Sequence, residues 1–390
     1  MASRRLTAAT IGAAATAAAI SATGAAARQA TNRRLRLDGL EAAEVGAAHP
    51  FEWVAGQELT VTTDDGAALH VEIDEPDGWQ GGPTIVFTHG YCLALGSWIH
   101  QRRAVTRAGF RVVAWDQRGH GRSGNGTQQP PTIERLGADL AAVLEVCVPT
   151  GPIVLIGHSM GGMTMMALAE HDPVLVRERV IGAAFVATSA GGGGLVSLGF
   201  GRFLGTALLR MGPGVLANIA ARQRLWKAAR RLGRDVESYL VERFSFASPV
   251  SQETVRFAAD MLLATDLTVV GSFLPALEAH DKRDALPIFG HTEALVLNGE
   301  GDVLTPPDHS TAIVEVLPGS EHVVITEAGH LVMLEHPALV DAQILALIDR
   351  AIASAAVGAP QTRRILRQVT DVARRKAVAS RRAKRVKERV

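Results

Sequence analysis

A serine that stands between two glycines is the best candidate nucleophile of this sequence. Ser159 lies in the run Gly157-His158-Ser159-Met160-Gly161, directly after five apolar residues, three of them β-branched, which predict a buried parallel strand. The glycines permit a tight strand-to-helix turn, because a Cβ there would crowd the neighbouring backbone. The helix predicted after the turn places its N-terminal dipole beneath Ser159, where it favours developing negative charge. We therefore expect the Ser159 hydroxyl to point outward from a sharp turn.

An acid and a base follow Ser159, in the chain order Ser…Asp…His. A serine hydroxyl is a weak nucleophile, so it needs a base, and the base needs an orienting group. Asp302 and His330 each follow an apolar run that predicts a strand. Because the carboxyl ends of parallel strands meet at one edge of a sheet, we expect both side chains to reach Ser159 there. Glu300 and Asp308 are local alternatives to Asp302 as the acid.

Two backbone N–H groups are predicted to stabilise an oxyanion on a substrate. Met160 directly follows the predicted nucleophile, and Tyr91 lies in the loop after the apolar run 84–88. Backbone N–H groups at such positions form the oxyanion hole of acyl-transfer sites, and losing one donor typically costs about 2.7–4 kcal/mol. Because these donors belong to the main chain, a side-chain substitution at Tyr91 or Met160 tests them only indirectly.

The other histidines and the two cysteines give no sign of a metal site. None of the 13 histidines lies in an H-E-x-x-H or paired-cysteine arrangement, and the sequence has no dinucleotide fingerprint or P-loop. We therefore expect no metal and no cofactor. We interpret Cys92 and Cys147 as packing residues rather than redox or nucleophilic thiols, because a free cysteine is usually a small buried hydrophobe. Packing or local hydrogen bonding is also the interpretation for His89, His120, His158, His171 and His336.

The elements that would carry these residues alternate between strands and helices. Residues 56–63 and 67–73 alternate apolar and polar positions around Asp64-Asp65-Gly66, which predicts an opening β-hairpin. From residue 83 onward, apolar runs alternate with helical patterns, one of which has Thr132 as its predicted N-cap. Such alternation predicts βαβ units and a parallel sheet.

The motifs occur in a specific order along the chain. They are His89-Gly90-Tyr91, Trp98, the run DQRGHGRS at residues 116–123, the Ser159 turn, Asp302 and His330. This series resembles the α/β-hydrolase family of esterase, lipase and cofactor-free haloperoxidase type over roughly residues 55–352. The resemblance implies a mostly parallel eight-stranded sheet flanked by helices, with an inserted helical cap, and it implies a structural role for residues 116–123. Ser159 disfavours epoxide hydrolases and haloalkane dehalogenases, which resemble this chain but carry a carboxylate at the turn.

The expected organisation is a hydrolase core in two parts, residues 50–190 and 288–355, separated by a helical cap at residues 191–287. An Ala-rich segment with basic flanks, residues 1–36, would precede this core, and a basic tail, residues 356–390, would follow it. The cap opens with glycines that would permit hinging. Its apolar residues are expected either to line an acyl pocket or to pack the cap onto the core; they include Leu195, Phe200, Phe203 and Leu204.

A net charge of +1 hides a strong asymmetry. Residues 361–390 hold twelve basic and two acidic residues, and residues 1–36 hold six arginines and no acid. The chain between them therefore carries a net charge of −15. Two basic ends predict attraction to an anionic membrane surface, at about 1 kcal/mol per basic residue near a charged leaflet. No nucleic-acid partner is expected, because no recognition fold accompanies the charge.

The two terminal segments each allow more than one interpretation. Residues 6–27 carry no charge, which is typical of a signal or anchor segment, although a disordered extension has the same composition. Membrane association or export is therefore the expected localisation, with a cytoplasmic protein as the alternative. In the tail, Ile365, Leu366 and Val369 interleave with arginines at near-helical spacing, which predicts either a basic amphipathic helix or a solvated tail.

Together these features predict a serine hydrolase that cleaves carboxylic esters with apolar acyl groups through an acyl-enzyme. The substrate would be a small-molecule or lipid ester. A cofactor-free perhydrolase or haloperoxidase is the alternative within enzymes. A membrane-tethered binding protein without turnover is the alternative outside them.

Overall fold

The computed structural model describes residues 50–193, 241–357 and 365–371. Predictions for residues 1–36 and for most of the tail lie outside the described residues. The same holds for the apolar cap positions Leu195, Phe200, Phe203 and Leu204.

Nine strands of the described residues form one sheet, in the order β1-β2-β4-β3-β5-β6-β7-β8-β9. The strands are β1 (Gln57–Thr62), β2 (Ala68–Asp74), β3 (Thr84–Thr88), β4 (Arg111–Trp115), β5 (Ile153–His158), β6 (Val180–Val186), β7 (Glu293–Gly299), β8 (Glu321–Ile325) and β9 (Ile365–Val369). Strand β2 is antiparallel to β1 and β4, and all other pairs are parallel. We call the end of the sheet where the parallel strands finish the carboxyl edge, and the opposite end the amino edge.

Helices cover both faces of this sheet. They are α1 (Ile99–Arg107), α2 (Ile133–Cys147), α3 (Met160–His171), α4 (Pro173–Arg179), α5 (Gln252–Ala264), α6 (Leu267–Ala279), α7 (Pro307–Val316), α8 (Val332–Glu335) and α9 (Pro337–Val357). The predicted N-cap of α2 is confirmed, because the Thr132 hydroxyl accepts a hydrogen bond from the Arg135 N–H at 3.1 Å.

Burial on both faces explains why the central strands are continuously apolar. In β3, Ile85 and Phe87 belong to the apolar cluster that also contains residues of α1 and α9. Val86 points the other way, into the cluster that also contains residues of α2 and α3. All three side chains are fully buried, as expected for a parallel sheet between two helical layers.

Strand β9 is one strand more than the eight predicted, and it corrects the expectation of either a basic amphipathic helix or a solvated tail at Ile365, Leu366 and Val369. The strand pairs in parallel with β8, and the Thr326 N–H donates to the Val369 carbonyl at 2.9 Å. Arg367 forms an ion pair with Glu321 of β8. A short basic segment looks helical or solvated in isolation, but the open edge of β8 supplies backbone partners that only tertiary structure reveals.

Two cap helices, α5 and α6, lie between β6 and β7 in sequence and pack on the core near the carboxyl edge. Val255 and Ala258 of α5 pack in the apolar cluster that contains Leu95, a residue of the chain between β3 and α1. Phe273 of α6 packs in the apolar cluster that contains Met160, the first residue of α3. Side chains of Ser251 and Asp266 cap the two helices. Within the described residues, no single helix has the length and apolar character to cross a membrane. Helices α5 and α6 have the required length and apolar character only when they are taken together, and the pair is bent by 85° at the break between them.

Candidate active site

Ser159 occupies a strained turn between β5 and α3. Its backbone has φ 52° and ψ −118°, a conformation that non-glycine residues rarely adopt and that marks functional sites. The flanking glycines are required sterically: a Cβ on Gly157 would lie 2.5 Å from the Gly161 carbonyl oxygen, and one on Gly161 would collide with the Thr88 carbonyl. The predicted tight turn is therefore present.

Exposure singles out Ser159 from its surroundings. From residue 153 to residue 169, Ser159 is the one residue that is not buried. Its backbone N–H donates to the Val186 carbonyl at 3.0 Å, which ties the turn to the end of β6. A partly exposed hydroxyl on an otherwise buried strand and helix is accessible to a ligand at the carboxyl edge.

The loop after β3 lies against this turn. A Cβ on Gly90 would be 2.6 Å from Nδ1 of His158 and 3.2 Å from Cβ of Ser159, so the backbone of Gly90 passes directly beside the serine. Tyr91 follows Gly90, and Met160 is the first residue of α3. The structure thus brings the two predicted oxyanion-hole segments together at Ser159.

Asp302 and His330 form a buried hydrogen-bonded pair. Nδ1 of His330 is 2.9 Å from Oδ2 of Asp302. Asp302 Oδ1 also accepts the backbone N–H groups of Leu304 and Thr305, at 2.8 and 2.9 Å, and the Thr305 hydroxyl donates to Oδ2 at 2.8 Å. Burial acts to raise the pKa of Asp302, but the contact with His330 and the bonds from Thr305 outweigh it and hold this pKa below its ordinary value.

This pairing fixes the chemistry of the imidazole. A charged Asp302 makes Nδ1 of His330 the donor, so Nε2 carries the lone pair that can accept a proton. The competing carboxylates make other contacts: Glu300 accepts a hydrogen bond from Gln368 of β9 at 3.1 Å, and Asp308 lies in the first turn of α7. Of the three candidate acids, the structure pairs Asp302 with His330.

His330 lies next to the residue that precedes the serine. The rings of His158 and His330 are 4.7 Å apart between centroids, and Nε2 of His158 donates to the His330 carbonyl at 3.0 Å. Among the described residues the hydrogen bonds of His330 involve Asp302, Thr305 and His158, and none joins it to the Ser159 hydroxyl. Catalytic hydrogen bonds are often long without substrate and tighten when it binds.

The neighbouring histidines support the loops, as predicted. Nδ1 of His89 donates to the Gly90 carbonyl at 2.7 Å, while Nε2 accepts the Gln117 N–H at 2.9 Å. Burial lowers the pKa of His89 to about 4 and the pKa values of His120 and His158 to about 3. These three rings therefore stay neutral near neutral pH. Their hydrogen bonds hold the loop after β3, the run 116–123 and the segment that carries His330.

Two polar residues that support the site, Thr305 and Glu335, were not predicted from the sequence. Thr305 bonds both Asp302 and His330, and its only sequence signal is the Asp-x-x-Thr spacing of a local turn. Glu335 is buried, and its carboxylate accepts the Gly329 N–H at 2.6 Å and the Ser248 hydroxyl at 2.7 Å. Glu335 thereby connects the segment that carries His330 to Ser248, which lies shortly before the cap helix α5.

Tyr91 links the loop after β3 to the cap helix α6. Its hydroxyl donates to the carbonyl of Val270 in α6 at 2.5 Å, and its ring lies 6.2 Å from that of Phe273 in the same helix. The position of α6 and the position of the loop after β3 are therefore connected.

A family model described as "alpha/beta hydrolase fold" matches residues 83–337, which is more than half of the chain. The chain belongs to the α/β-hydrolase family. The predicted resemblance and the predicted fold class are both confirmed, with the ninth strand as an addition.

The curated proteins that are similar to this chain include the following three. The acetyltransferase component of the acetoin cleaving system of Pseudomonas putida is 28% identical over 70% of this chain and 65% of its own length. Epoxide hydrolase B of Mycobacterium tuberculosis is 34% identical over 34% of this chain and 36% of its own. A bifunctional esterase/perhydrolase of Acinetobacter calcoaceticus is 40% identical over 29% of this chain and 41% of its own. The chain spans less than two thirds of the length of each of these relatives.

Solved structures agree in fold. A thermophilic esterase from Thermogutta terrifontis superposes with a TM-score of 0.56 at 24% identity, covering 76% of this chain and 99% of that one. A bromoperoxidase from Bacillus anthracis gives a TM-score of 0.59 at 18% identity, covering 75% and 100%. At these identities the likeness concerns the fold alone.

Proposed function

We propose that this hydrolase cleaves carboxylic esters with apolar acyl groups through a covalent acyl-enzyme. The observation that carries the proposal is the half-exposed Ser159 on its strained turn, next to the segment where His330 is bonded to a charged Asp302. A hydroxyl nucleophile, an imidazole with a free lone pair and a buried carboxylate are the groups that acyl transfer requires.

In the proposed reaction, Ser159 Oγ attacks the ester carbonyl carbon while His330 Nε2 takes the hydroxyl proton. The N–H groups of Tyr91 and Met160 stabilise the oxyanion. Collapse of the tetrahedral intermediate breaks the bond to the alcohol, which leaves with the proton held by His330. Water then attacks the acyl group, again with His330 as the base, and releases the acid. Asp302 orients the imidazole and stabilises the imidazolium.

The surroundings of the site support an apolar acyl group. Met160 and Met163 of α3 pack with Val269 and Phe273 of the cap helix α6, and Tyr91 lies against the same cluster. These four side chains are buried against one another, and a cap that packs beside Ser159 through apolar groups favours hydrocarbon over charged substrates.

A perhydrolase is the second candidate, because a relative is named as a bifunctional esterase/perhydrolase and the same triad serves both reactions. The similarity to epoxide hydrolase B carries less weight, since the turn of this chain holds a serine and the family resemblance places a carboxylate there in epoxide hydrolases.

A fluorophosphonate probe tests the proposal directly. The folded protein should form one covalent adduct, on the peptide that contains Ser159, and the heat-denatured protein should form none. The same preparation should hydrolyse a chain-length series of nitrophenyl esters faster than it forms peracid from acetate and peroxide. A folded protein that stays unlabelled would favour a binding protein without turnover, and faster peracid formation would favour the perhydrolase.

The Tyr91 hydroxyl offers a milder test of the site. Tyr91→Phe keeps the backbone N–H and the ring but removes the hydrogen bond to Val270, so the free energy of unfolding should fall by about 0.5–1.5 kcal/mol. Because the oxyanion donor is retained, kcat/KM for a short nitrophenyl ester should fall less than about tenfold. Urea unfolding and steady-state kinetics measure both. A loss beyond a hundredfold with unchanged stability would place the hydroxyl itself in the chemistry.

A further inference from the structure

A buried carboxylate holds the segment of His330 against the chain that leads into the cap helix α5. Glu335, the last residue of α8, is 2% exposed. Its Oε2 accepts the Gly329 N–H at 2.6 Å, and its Oε1 accepts the Ser248 hydroxyl at 2.7 Å and the Ser248 N–H at 2.5 Å. We call residues 245–248 the pre-α5 segment. One oxygen of Glu335 therefore bonds the neighbour of His330, and the other bonds the pre-α5 segment.

The backbone around His330 is held by three separate parts of the chain. Besides the bond to Glu335 on one side, the Leu331 N–H on the other side donates to the Ser245 carbonyl at 2.9 Å. The His330 carbonyl accepts a hydrogen bond from Nε2 of His158 at 3.0 Å. The main chain that carries the imidazole is thus fixed from α8, from the pre-α5 segment and from the end of β5.

The pre-α5 segment lies directly against both loops of the His330–Asp302 pair. A Cβ on Gly329 would be 2.7 and 2.8 Å from backbone atoms of this segment, so no side chain separates the two backbones. A Cβ on Gly301, which precedes Asp302, would be 2.7 Å from Cβ of Ala247. Movement of the pre-α5 segment towards these loops is therefore blocked, and movement away from them breaks the hydrogen bonds described above.

We propose that Glu335 is a positioning residue that places the His330 imidazole for proton transfer by bonding the His330 segment and the pre-α5 segment at once. Asp302 holds Nδ1 of this imidazole, but among the described residues no hydrogen bond joins the ring to the Ser159 hydroxyl. The backbone of the His330 segment therefore sets how far Nε2 lies from that hydroxyl. Misplacing a reacting group by about 1 Å can cost about a hundredfold in rate. The inference rests on the proposed function, because it concerns the base of that reaction.

Glu335→Gln removes one side of this bridge whichever way its amide points. An amide has one acceptor oxygen and an NH2 group that only donates. The NH2 group would face either the Gly329 N–H or the Ser248 N–H, and that hydrogen bond is lost. We expect kcat for nitrophenyl ester hydrolysis to fall about a hundredfold, with KM within about threefold of the parent, because the residue acts through the base and does not bind substrate.

Glu293→Gln is the matched control. Glu293 is also a buried carboxylate that accepts a serine hydroxyl, from Ser354 at 2.5 Å, but it lies at the start of β7 on the amino edge. Its kcat should stay within about twofold of the parent. A loss in Glu293→Gln as large as in Glu335→Gln would assign the effect to general stability and overturn the proposal. A kcat of Glu335→Gln within threefold of the parent would overturn it too.

The other side of the bridge is tested at Ser248, which is half-buried, so its variants serve where Glu335→Gln does not fold. Ser248→Ala loses the hydroxyl bond and should lower kcat about tenfold, whereas Ser248→Thr keeps the hydroxyl and should restore kcat to within about twofold. Ser251→Ala removes a hydroxyl that caps α5 by accepting the Thr254 N–H at 3.0 Å, and its kcat should stay within about twofold of the parent. A kcat that does not follow the hydroxyl through these variants would reject the bridge.

A proton resonance separates this inference from the proposed function. The Nδ1–H of His330, bonded to Asp302 at 2.9 Å, should give a low-field resonance that is lost in Asp302→Asn. Glu335→Gln should shift or broaden this resonance, and Glu293→Gln should leave it unchanged. If the parent neither hydrolyses the esters nor reacts with the fluorophosphonate, the proposed function fails, and the resonance still decides the positioning. An unchanged resonance in Glu335→Gln, or none in the parent, would overturn the role of Glu335.

Discussion

Replacing Ser159 with alanine should reduce kcat for nitrophenyl ester hydrolysis by about a million-fold, to the rate that the remaining groups give to attack by water. The substitution removes the hydroxyl of the one residue between positions 153 and 169 that is not buried. Because nucleophile and base act as a unit, Ser159→Ala combined with His330→Ala should lose no more than the single variant.

Ser189→Ala is the matched control for this prediction. Ser189 Oγ is also hydrogen-bonded to a histidine, with Nδ1 of His309 at 2.8 Å, but it is fully buried and accepts the Gly191 N–H at 3.0 Å. Ester hydrolysis by Ser189→Ala should stay within tenfold of the parent, and the fluorophosphonate should still label it. Hydrolysis that survives Ser159→Ala would remove the proposed reaction.

Asp302→Asn should lower kcat by about ten-thousand-fold. An amide at this position can donate to Nδ1 of His330, which stabilises the tautomer whose Nε2 carries a proton and cannot act as a base. The native carboxylate keeps its charge across the range in which histidines titrate, since its pKa lies below the ordinary value. Steady-state kinetics over that pH range should show the loss throughout.

Asp308→Asn tests whether the effect belongs to the hydrogen bond. Asp308 lies at the start of α7, near in sequence to Asp302 but without a contact to His330 among those of the described residues. Its kcat should stay within about twofold of the parent. A comparable loss in both variants would mean that negative charge near the site, rather than the orientation of His330, governs the rate.

Local patterns predicted the parts of the site that depend on local structure. An apolar run followed by Gly-x-Ser-x-Gly and a helical pattern favours a strand and a tight turn, and the carboxyl ends of parallel strands share an edge. Asp302 and His330 could therefore be placed together before the structure was known. The sequence favoured Asp302 and left Glu300 in the same loop as an alternative, and the coordinates pair Asp302 with His330.

The features that the sequence did not reveal depend on distant partners. Strand β9 forms because β8 has an open edge with unpaired backbone groups. The basic composition of the β9 residues does not indicate that such an edge lies beside them. Thr305 and Glu335 look like ordinary polar residues until the loops they bond are in place. The bond from Tyr91 joins residues 179 positions apart and ends on a main-chain carbonyl, which leaves no trace in side-chain patterning.

That bond sets a condition on how α6 can move. A hydrogen bond of 2.5 Å is lost if its atoms separate by more than about 1 Å. A movement of α6 must therefore either break the bond or carry the Gly90–Tyr91 backbone along, away from Ser159. In the first case the Tyr91 N–H stays beside Ser159, and in the second it leaves with the helix, so the cap controls this loop only while the bond is intact.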